Sequence, residues 1–131
     1  MELKAVNPVK WQDNFDFSQA IDVRGAQQVL YCAGQTSVDA DGNPMHAGDM
    51  VAQIYRALDN LEAVLGQAGL TLANVVRLNY YATDVPAFLE AVPEVGVRLR
   101  EAGCKPSSTL LGVVRLAELD WMVEIEATAV A

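Results

Sequence analysis

Hydrophobic residues recur along the chain with two periods, one of which predicts β-strands and the other α-helices. The clearest period of two lies in residues 123–130, where alternate positions are apolar: Val123, Ile125, Ala127 and Ala129. Side chains alternate between the two faces of a strand, so Glu124 and Glu126 share the opposite face. This stretch is therefore predicted as a strand with one buried and one polar face.

Four further stretches are also predicted as strands. Residues 107–116 are rich in β-branched and apolar residues, and we expect them to lie beside the last strand. Residues 15–23 alternate and residues 28–34 are mainly apolar, and the Arg24-Gly25-Ala26 turn between them predicts a hairpin. Residues 75–83 form the fourth stretch.

Two stretches with a period near 3.6 residues are predicted as the main helices. The first is the apolar stripe of residues 51–68, with Asp49 as its N-cap and Gly69 as its stop. The second covers residues 86–102. Pro93 lies inside it and is expected to kink or split the helix, because proline lacks a backbone donor.

In chain order these elements predict an α+β fold with a single mixed β-sheet of about six strands and two main helices on one face. A strand, a helix and a strand in succession require a crossover, and the helix then covers one face of the sheet. Residues 1–14 show no period and predict an extended arm. At 131 residues the chain is expected to be one domain, 1–131, which buries roughly two thirds of its unfolded surface.

Composition and charge restrict the classes of partner. The net charge is −8, from 9 Lys and Arg against 17 Asp and Glu, so no basic stripe for nucleic acid is expected. The apolar runs are too short to span a membrane and the N-terminal residues do not resemble an export signal, so we expect a cytoplasmic protein without a membrane partner. Cys32 and Cys104 lack a Cys-x-x-Cys spacing and are expected to be free thiols.

No self-sufficient catalytic motif is present, whether a phosphate-binding glycine loop, a Gly-x-Ser-x-Gly elbow or a His-Glu-x-x-His helix. His46 is the only histidine and has no second ligand nearby, so no metal site is expected. The remaining candidates for chemistry are Glu124 and Glu126. Patterning alone favours two solvated carboxylates on an open sheet face, and the alternative is a functional carboxyl group.

Several segments resemble the RidA/YjgF family of reactive-intermediate deaminases: Pro106-x-x-Thr109, Val114-Arg115-Leu116, the strand of residues 123–130 and the strand end Ala33-Gly34-Gln35. The similarity covers nearly the whole chain. It implies a RidA/chorismate-mutase-like fold and a homotrimer with small clefts between adjacent subunits. Similar proteins hydrolyse imines or enamines of 2-keto acids in such clefts without a cofactor, so we expect a small-molecule metabolite as partner.

The resemblance also implies which residues form the cleft. In the deaminases an arginine holds the substrate carboxylate and a glutamate of the last strand positions the attacking water. The arginine position falls on Ser108 and the glutamate on Glu124, which is the predicted catalytic residue. Phe17 stands where a tyrosine is common and Val92 where a polar residue is frequent, so a less basic and more apolar cleft is expected. The predicted substrate-binding residues are Ser108, Gly34, Phe17, Thr109 and Val92.

Two hypotheses of function follow. The first is an enzyme of the RidA superfamily that hydrolyses an imine, enamine or related metabolite and needs no arginine clamp. The second is a non-catalytic trimer that binds a small molecule or a partner protein through the same clefts. Glu124 and Gly34 favour a working pocket, whereas Ser108 favours the second hypothesis or an altered substrate.

Overall fold

The computed structural model describes all residues from Met1 to Ala131. Six strands are present: β1 (Glu2–Val6), β2 (Ala20–Arg24), β3 (Val29–Gln35), β4 (Val75–Ala82), β5 (Ser107–Gly112) and β6 (Val123–Val130). The helices are α1 (Met50–Gln67) and α2 (Val85–Glu101), with short 3₁₀ helices at Trp11–Phe15 and Leu72–Asn74. The predicted α+β class, the number of strands and the two main helices are confirmed.

Four strands form the main sheet, in the order β3-β6-β4-β5. The pair β4 and β5 is parallel and the other pairs are antiparallel, so the sheet is mixed as predicted. The last strand of the chain, β6, lies between β3 and β4 and makes hydrogen bonds on both edges. Its alternate residues from Val123 to Ala129 are buried beneath the helices, which leaves Glu124 and Glu126 on the other face.

The prediction of a single sheet and of a hairpin between residues 15–23 and 28–34 is wrong. Strand β2 pairs with β1 in a separate two-stranded sheet. The register places Glu2 opposite Arg24 and Lys4 opposite Asp22, and opposite charges at facing positions favour that pairing. The arm therefore supplies a strand of its own, which its lack of hydrophobic alternation concealed.

The predicted side-by-side arrangement of residues 107–116 and the last strand is also wrong. Strand β5 ends at Gly112 and pairs with β4, whereas β6 occupies the other edge of β4. The crossover through α2 sets β5 parallel to β4, and residues 113–122 then cross the width of β4 to reach its far edge.

The core lies between the helices and the sheet. Helix α1 begins at the N-cap Asp49, whose side chain accepts a hydrogen bond from the amide of Ala52 at 3.0 Å. Its buried stripe includes Leu58, Leu61 and Leu65, each fully inaccessible to solvent. Burial of one such side chain contributes about 1.5–3 kcal/mol, so truncation of Leu61 to alanine should cost about 2–5 kcal/mol.

Helix α2 continues from Val85 to Glu101 as one element, so Pro93 does not split it. Proline removes only one backbone donor, and the residues buried on both sides of it, among them Phe88 and Leu99, hold the helix against the core. Cys32 and Cys104 are both buried and free, as expected. No helix combines the length and the apolar composition that crossing a membrane would require.

Candidate functional site

A cavity of about 260 Å³ lies on the helix-covered side of the main sheet, between α2, β5 and residues 11–17. Most of the residues that line it are apolar. It contains three of the predicted site residues, Phe17, Val92 and Ser108, and we call it the Ser108 cavity. Sequence reasoning placed these three together by family resemblance alone, and the fold brings them to one cavity.

The pairing of β4 with β5 determines which way Ser108 points. Ser108 lies opposite Leu78 in the parallel register, and Leu78 is fully buried under the helices. Side chains at paired positions share a face, so Ser108 and Leu110 point to the helix side and Thr109 points to the other side. Both Ser108 and Leu110 line the cavity.

Residues 11–17 form the outer wall of the cavity and are fastened to the body by two ion pairs. The Asp16 carboxylate accepts a hydrogen bond from the Arg100 guanidinium on α2. Lys105 Nζ lies 3.1 Å from Asp13 Oδ1. Asp16 has φ of 57°, in the left-handed region that ends the 3₁₀ helix and turns the chain toward β2.

The wall is aromatic. The Trp11 ring meets Phe17 edge to face with centroids 5.8 Å apart, and it meets Phe15 in the same way at 6.2 Å. We call these three residues the aromatic wall. On the inner side of the cavity Tyr80 packs against Phe88 with centroids 5.1 Å apart. A ligand in this space would contact ring edges and faces on two sides.

The cavity offers almost no charge to a ligand. No lysine, arginine or histidine is among its lining residues. Asp16 is the one carboxylate, and its charge is already paired with Arg100. Burial raises the pKa of Tyr80, so its phenol group stays neutral. A ligand therefore meets hydroxyl groups and apolar surface, without a cation.

Glu124 lies on the opposite face of the main sheet, which we call the open face. A Cβ atom on Gly34 would lie 2.7 Å from Cγ and Cδ of Glu124, so only glycine leaves room for this side chain. Burial, and secondarily the like charge of Glu126, raise the pKa of the Glu124 carboxyl.

Glu126 shares the open face with Glu124 but, unlike Glu124, it is held by hydrogen bonds. It accepts hydrogen bonds from the Tyr81 hydroxyl and from Asn79 Nδ2, the latter at 3.0 Å. The Tyr81 bond and then the Asn79 bond lower the pKa of the Glu126 carboxyl. Two neighbouring carboxyls therefore have pKa values displaced in opposite directions, an arrangement that separates an acid from a fixed anion.

Thr109 also lies on the open face. Its hydroxyl accepts a hydrogen bond of 2.7 Å from the Arg77 guanidinium. The positive charge of Arg77 also lowers the pKa of Glu126, as a smaller contribution than the two hydrogen bonds. The Thr109 hydroxyl therefore already has a partner in the folded chain.

The predicted site residues thus fall into two groups on opposite faces of one sheet. Those on the helix side are Phe17, Val92 and Ser108, and those on or beside the open face are Gly34, Thr109 and Glu124. Leu110 and Tyr80 also line the cavity and were not predicted from the sequence, although the strand period relates Leu110 to Ser108. Tyr81 was not predicted either, although the strand period places it on the same face as Asn79.

No group of three or more His, Cys, Asp or Glu side chains is placed to hold a metal ion. His46 is exposed in the loop before α1, with φ of 62°. Its surroundings contribute nothing to either half of the site.

Comparisons with known proteins identify the family to which the chain belongs. The family described as "Endoribonuclease L-PSP" matches residues 12–131. A RutC family protein of Aquifex aeolicus is 32% identical over 116 residues, which cover 87% of this chain and 87% of that protein. The crystal structure of YyfB from Yersinia pestis, a Rid family protein of unknown function, superimposes with a TM-score of 0.90 at 34% identity and covers 100% of both chains.

A second solved structure contains a ligand. E. coli TdcF with bound serine is similar with a TM-score of 0.70 and 25% identity, over 97% of this chain and 93% of that one. Fold and site define an α+β domain whose helices enclose a small cavity on one sheet face and leave glutamates on the other. With the sequence match over residues 12–131, the chain belongs to the RidA/YjgF family, which includes the RutC and Rid proteins.

Proposed function

We propose that this chain hydrolyses a neutral imine or enamine, with Glu124 as the catalytic acid and base and the Ser108 cavity as the binding cleft. The observation that carries this proposal is that the Glu124 carboxyl has space around it and no partner within the chain. Its side chain makes no hydrogen bond or ion pair within the chain, and Gly34 leaves space for it at an exposed strand end. A carboxyl with a raised pKa and no structural partner is suited to proton transfer.

A homotrimer is part of this proposal. Glu124 and the Ser108 cavity lie on opposite faces of one sheet, so they can act together only if another copy of the chain supplies one of them. The open face also exposes apolar side chains that a neighbouring subunit would cover, among them Tyr31 at 81% and Leu111 at 50% exposure. Glu124 of one subunit then faces the Ser108 cavity of the next.

The reaction needs only water and a proton carrier. The Glu124 carboxylate removes a proton from water as the oxygen bonds to the C=N carbon, and the carboxyl passes this proton to the imine nitrogen, which gives a neutral carbinolamine. The carboxylate then transfers the proton of the carbinolamine hydroxyl to the amino group, the C–N bond breaks, and ammonia and a carbonyl compound leave. Such a positioned group typically contributes about 10²–10⁴-fold to the rate.

The substrate in this proposal is a small molecule, and nucleic acid is not a partner. The bound serine in E. coli TdcF supports a small-molecule ligand for this fold. The name "Endoribonuclease L-PSP" belongs to the matching family, and the net charge of −8 argues against that activity in this chain. We expect the protein to act in the cytoplasm and without a cofactor.

The test is the hydrolysis of a neutral N–H ketimine, added from an aprotic stock, with ketone formation followed over the spontaneous rate. We expect catalysis by the wild type and a return to the spontaneous rate in Glu124→Gln. Glu90→Gln is the matched control, because Glu90 is exposed on α2 and is not among the residues that line the Ser108 cavity. Equal rates for Glu124→Gln and the wild type would remove the catalytic role.

A non-catalytic ligand-binding trimer is the second candidate. It is favoured by Ser108, which replaces the expected arginine and leaves the cavity without a cation. In that case a ligand binds the wild type and Glu124→Gln with equal affinity, and neither protein accelerates hydrolysis.

A further inference from the structure

We propose that the Ser108 cavity selects neutral molecules that carry a flat ring and rejects carboxylates. The proposal rests on the proposed function only in that it treats this cavity as the ligand site, and it does not require hydrolysis. Three properties of the cavity support it: its charge, its shape and its volume.

The charge of the cavity disfavours an anion. A carboxylate that leaves water for an apolar site needs a cation or several hydrogen-bond donors, and otherwise its burial is strongly unfavourable. No cationic side chain lines the cavity, and Arg100 beyond the rim is already paired with Asp16. If Glu124 of another subunit closes the cleft, it adds a second acid. The Ser108 hydroxyl can donate one hydrogen bond, which suits a carbonyl or amide oxygen.

The shape of the cavity favours a ring. The aromatic wall presents Trp11 and Phe17 at an interplanar angle of 66°, and Tyr80 and Phe88 form a tilted pair on the inner side. Aromatic rings bind well to such surfaces because edge-to-face and offset contacts are favourable. An open aliphatic chain of the same size lacks those contacts and loses more conformational freedom on binding.

The volume of the cavity limits the ligand to a small molecule. About 260 Å³ equals the liquid volume of about nine water molecules at ~30 Å³ each. One six-membered ring with a short polar substituent fits that space.

Isothermal titration of the intact protein with three probes tests this selection. The probes are phenylglyoxamide, its acid phenylglyoxylate, and 2-oxooctanamide, which has the same number of carbon atoms in an open chain. Phenylglyoxamide should bind at least about tenfold more tightly than phenylglyoxylate, because only the acid carries an uncompensated charge. It should also bind more tightly than 2-oxooctanamide, because only it carries a ring.

Two variants locate the binding. Val92→Trp should fill the cavity and abolish binding of phenylglyoxamide. Val97→Trp is the matched control, because Val97 lies on the same helix, is 42% exposed and does not line the cavity. Ser108→Arg supplies the missing cation and should reverse the preference toward phenylglyoxylate, which keeps the test decisive if Val92→Trp folds poorly.

The outcomes separate this inference from the proposed function. Equal or tighter binding of phenylglyoxylate by the wild type would overturn the inference, and so would equal binding of the open-chain amide or no binding of any probe. Preferential binding of phenylglyoxamide without ketimine hydrolysis would support the inference and overturn only the catalytic proposal. Ketimine hydrolysis without that preference would support the catalytic proposal and overturn the inference.

Discussion

Gly34 and Glu124 are in such close contact that a methyl group at position 34 would lie 2.7 Å from two carbon atoms of the glutamate side chain. Gly34 is not among the glycines with positive φ, so its backbone conformation is open to any residue. Glycine is needed at this position for space and not for backbone freedom. The placement of Glu124 therefore requires that position 34 on the neighbouring strand β3 carries no side chain.

Gly34→Ala should accordingly displace the Glu124 side chain while the fold is preserved. The obstructing atoms belong to the end of a flexible side chain, so we expect a change in the free energy of unfolding within about 1 kcal/mol. Ketimine hydrolysis should fall toward the level of Glu124→Gln. Gly66→Ala is the control, since nothing lies within 4 Å of its added carbon, and it should stabilise α1 by up to about 1 kcal/mol without altering hydrolysis.

The two glutamates of β6 should affect stability in opposite directions at neutral pH. The pKa of Glu126 is lowered in the folded state, so its contribution is present above the reference value of 4.5 and is lost as the pH falls through the folded pKa. Glu126→Gln should therefore lower Tm at pH 7 and be neutral in strong acid. The pKa of Glu124 is raised, so its ionised form opposes folding, and Glu124→Gln should raise Tm slightly at pH 7.

Thermal melts of the wild type and both variants from about pH 3 to pH 7 measure these differences. Tyr81→Phe should reproduce part of the Glu126→Gln effect, because it removes the bond that contributes most to the lowered pKa. A pH-independent loss of stability in Glu126→Gln would contradict the ionic explanation and indicate lost packing instead.

The wild type should hydrolyse 2-iminobutanoate poorly or not at all, and Ser108→Arg should restore part of that activity. Loss of a charge-assisted, bidentate clamp costs a few kcal/mol of transition-state binding, roughly a hundredfold to a thousandfold in rate. Rescue should be partial, since Phe17 and Val92 still line the cavity. The assay generates the imine in situ and follows 2-oxobutanoate. Robust wild-type activity would show that Ser108 is not a disabling substitution.

Light scattering at micromolar concentration should give the mass of three chains. The expectation follows from the family and from the exposed apolar residues of the open face. Leu111→Glu should weaken the assembly if that face is covered, whereas Leu119→Glu, at a 77% exposed loop residue, should leave it intact. A monomer or a stable dimer of the wild type would defeat the proposal.

Arg100→Gln should loosen the segment that carries the aromatic wall. Arg100 pairs with Asp16 at the edge of the cavity, and partly exposed pairs of this kind contribute about 0.2–1 kcal/mol, so the loss of global stability should be small. Amide exchange in residues 11–17 should accelerate and phenylglyoxamide should bind more weakly. Arg24→Gln breaks the exposed pair with Asp22 in the separate sheet and should change neither result.

Much of the fold follows from local sequence signals. The period of two in residues 123–130 predicted the buried and polar faces of β6, and the N-cap Asp49 predicted the start of α1 within one residue. Strand partners could not be predicted in the same way, because several strands that are far apart in the sequence compete to pair with the same strand edge. The opposite charges of Glu2 and Arg24, and of Lys4 and Asp22, are visible in the sequence. They favour pairing only in the register that places these residues opposite each other.

The candidate site was only partly accessible from the sequence. Strand alternation places Ser108 and Thr109 on opposite faces of a strand, but only the parallel register with β4 shows that Ser108 is the one on the helix side. The contribution of Tyr80 and the aromatic wall depends on packing between segments far apart in the chain, which periodicity does not encode. The role of Tyr80 and the aromatic wall in ligand selection stays a prediction.

The central position of β6 has a consequence for the order in which the main sheet forms. Strands β3 and β4 share β6 as a partner, so neither has its full set of sheet hydrogen bonds until residues 123–130 are in place. The earlier strands therefore cannot close the sheet among themselves, and their apolar faces stay open to other contacts until β6 has paired. For the same reason, loss of residues 123–130 would remove the middle of the sheet and not its edge.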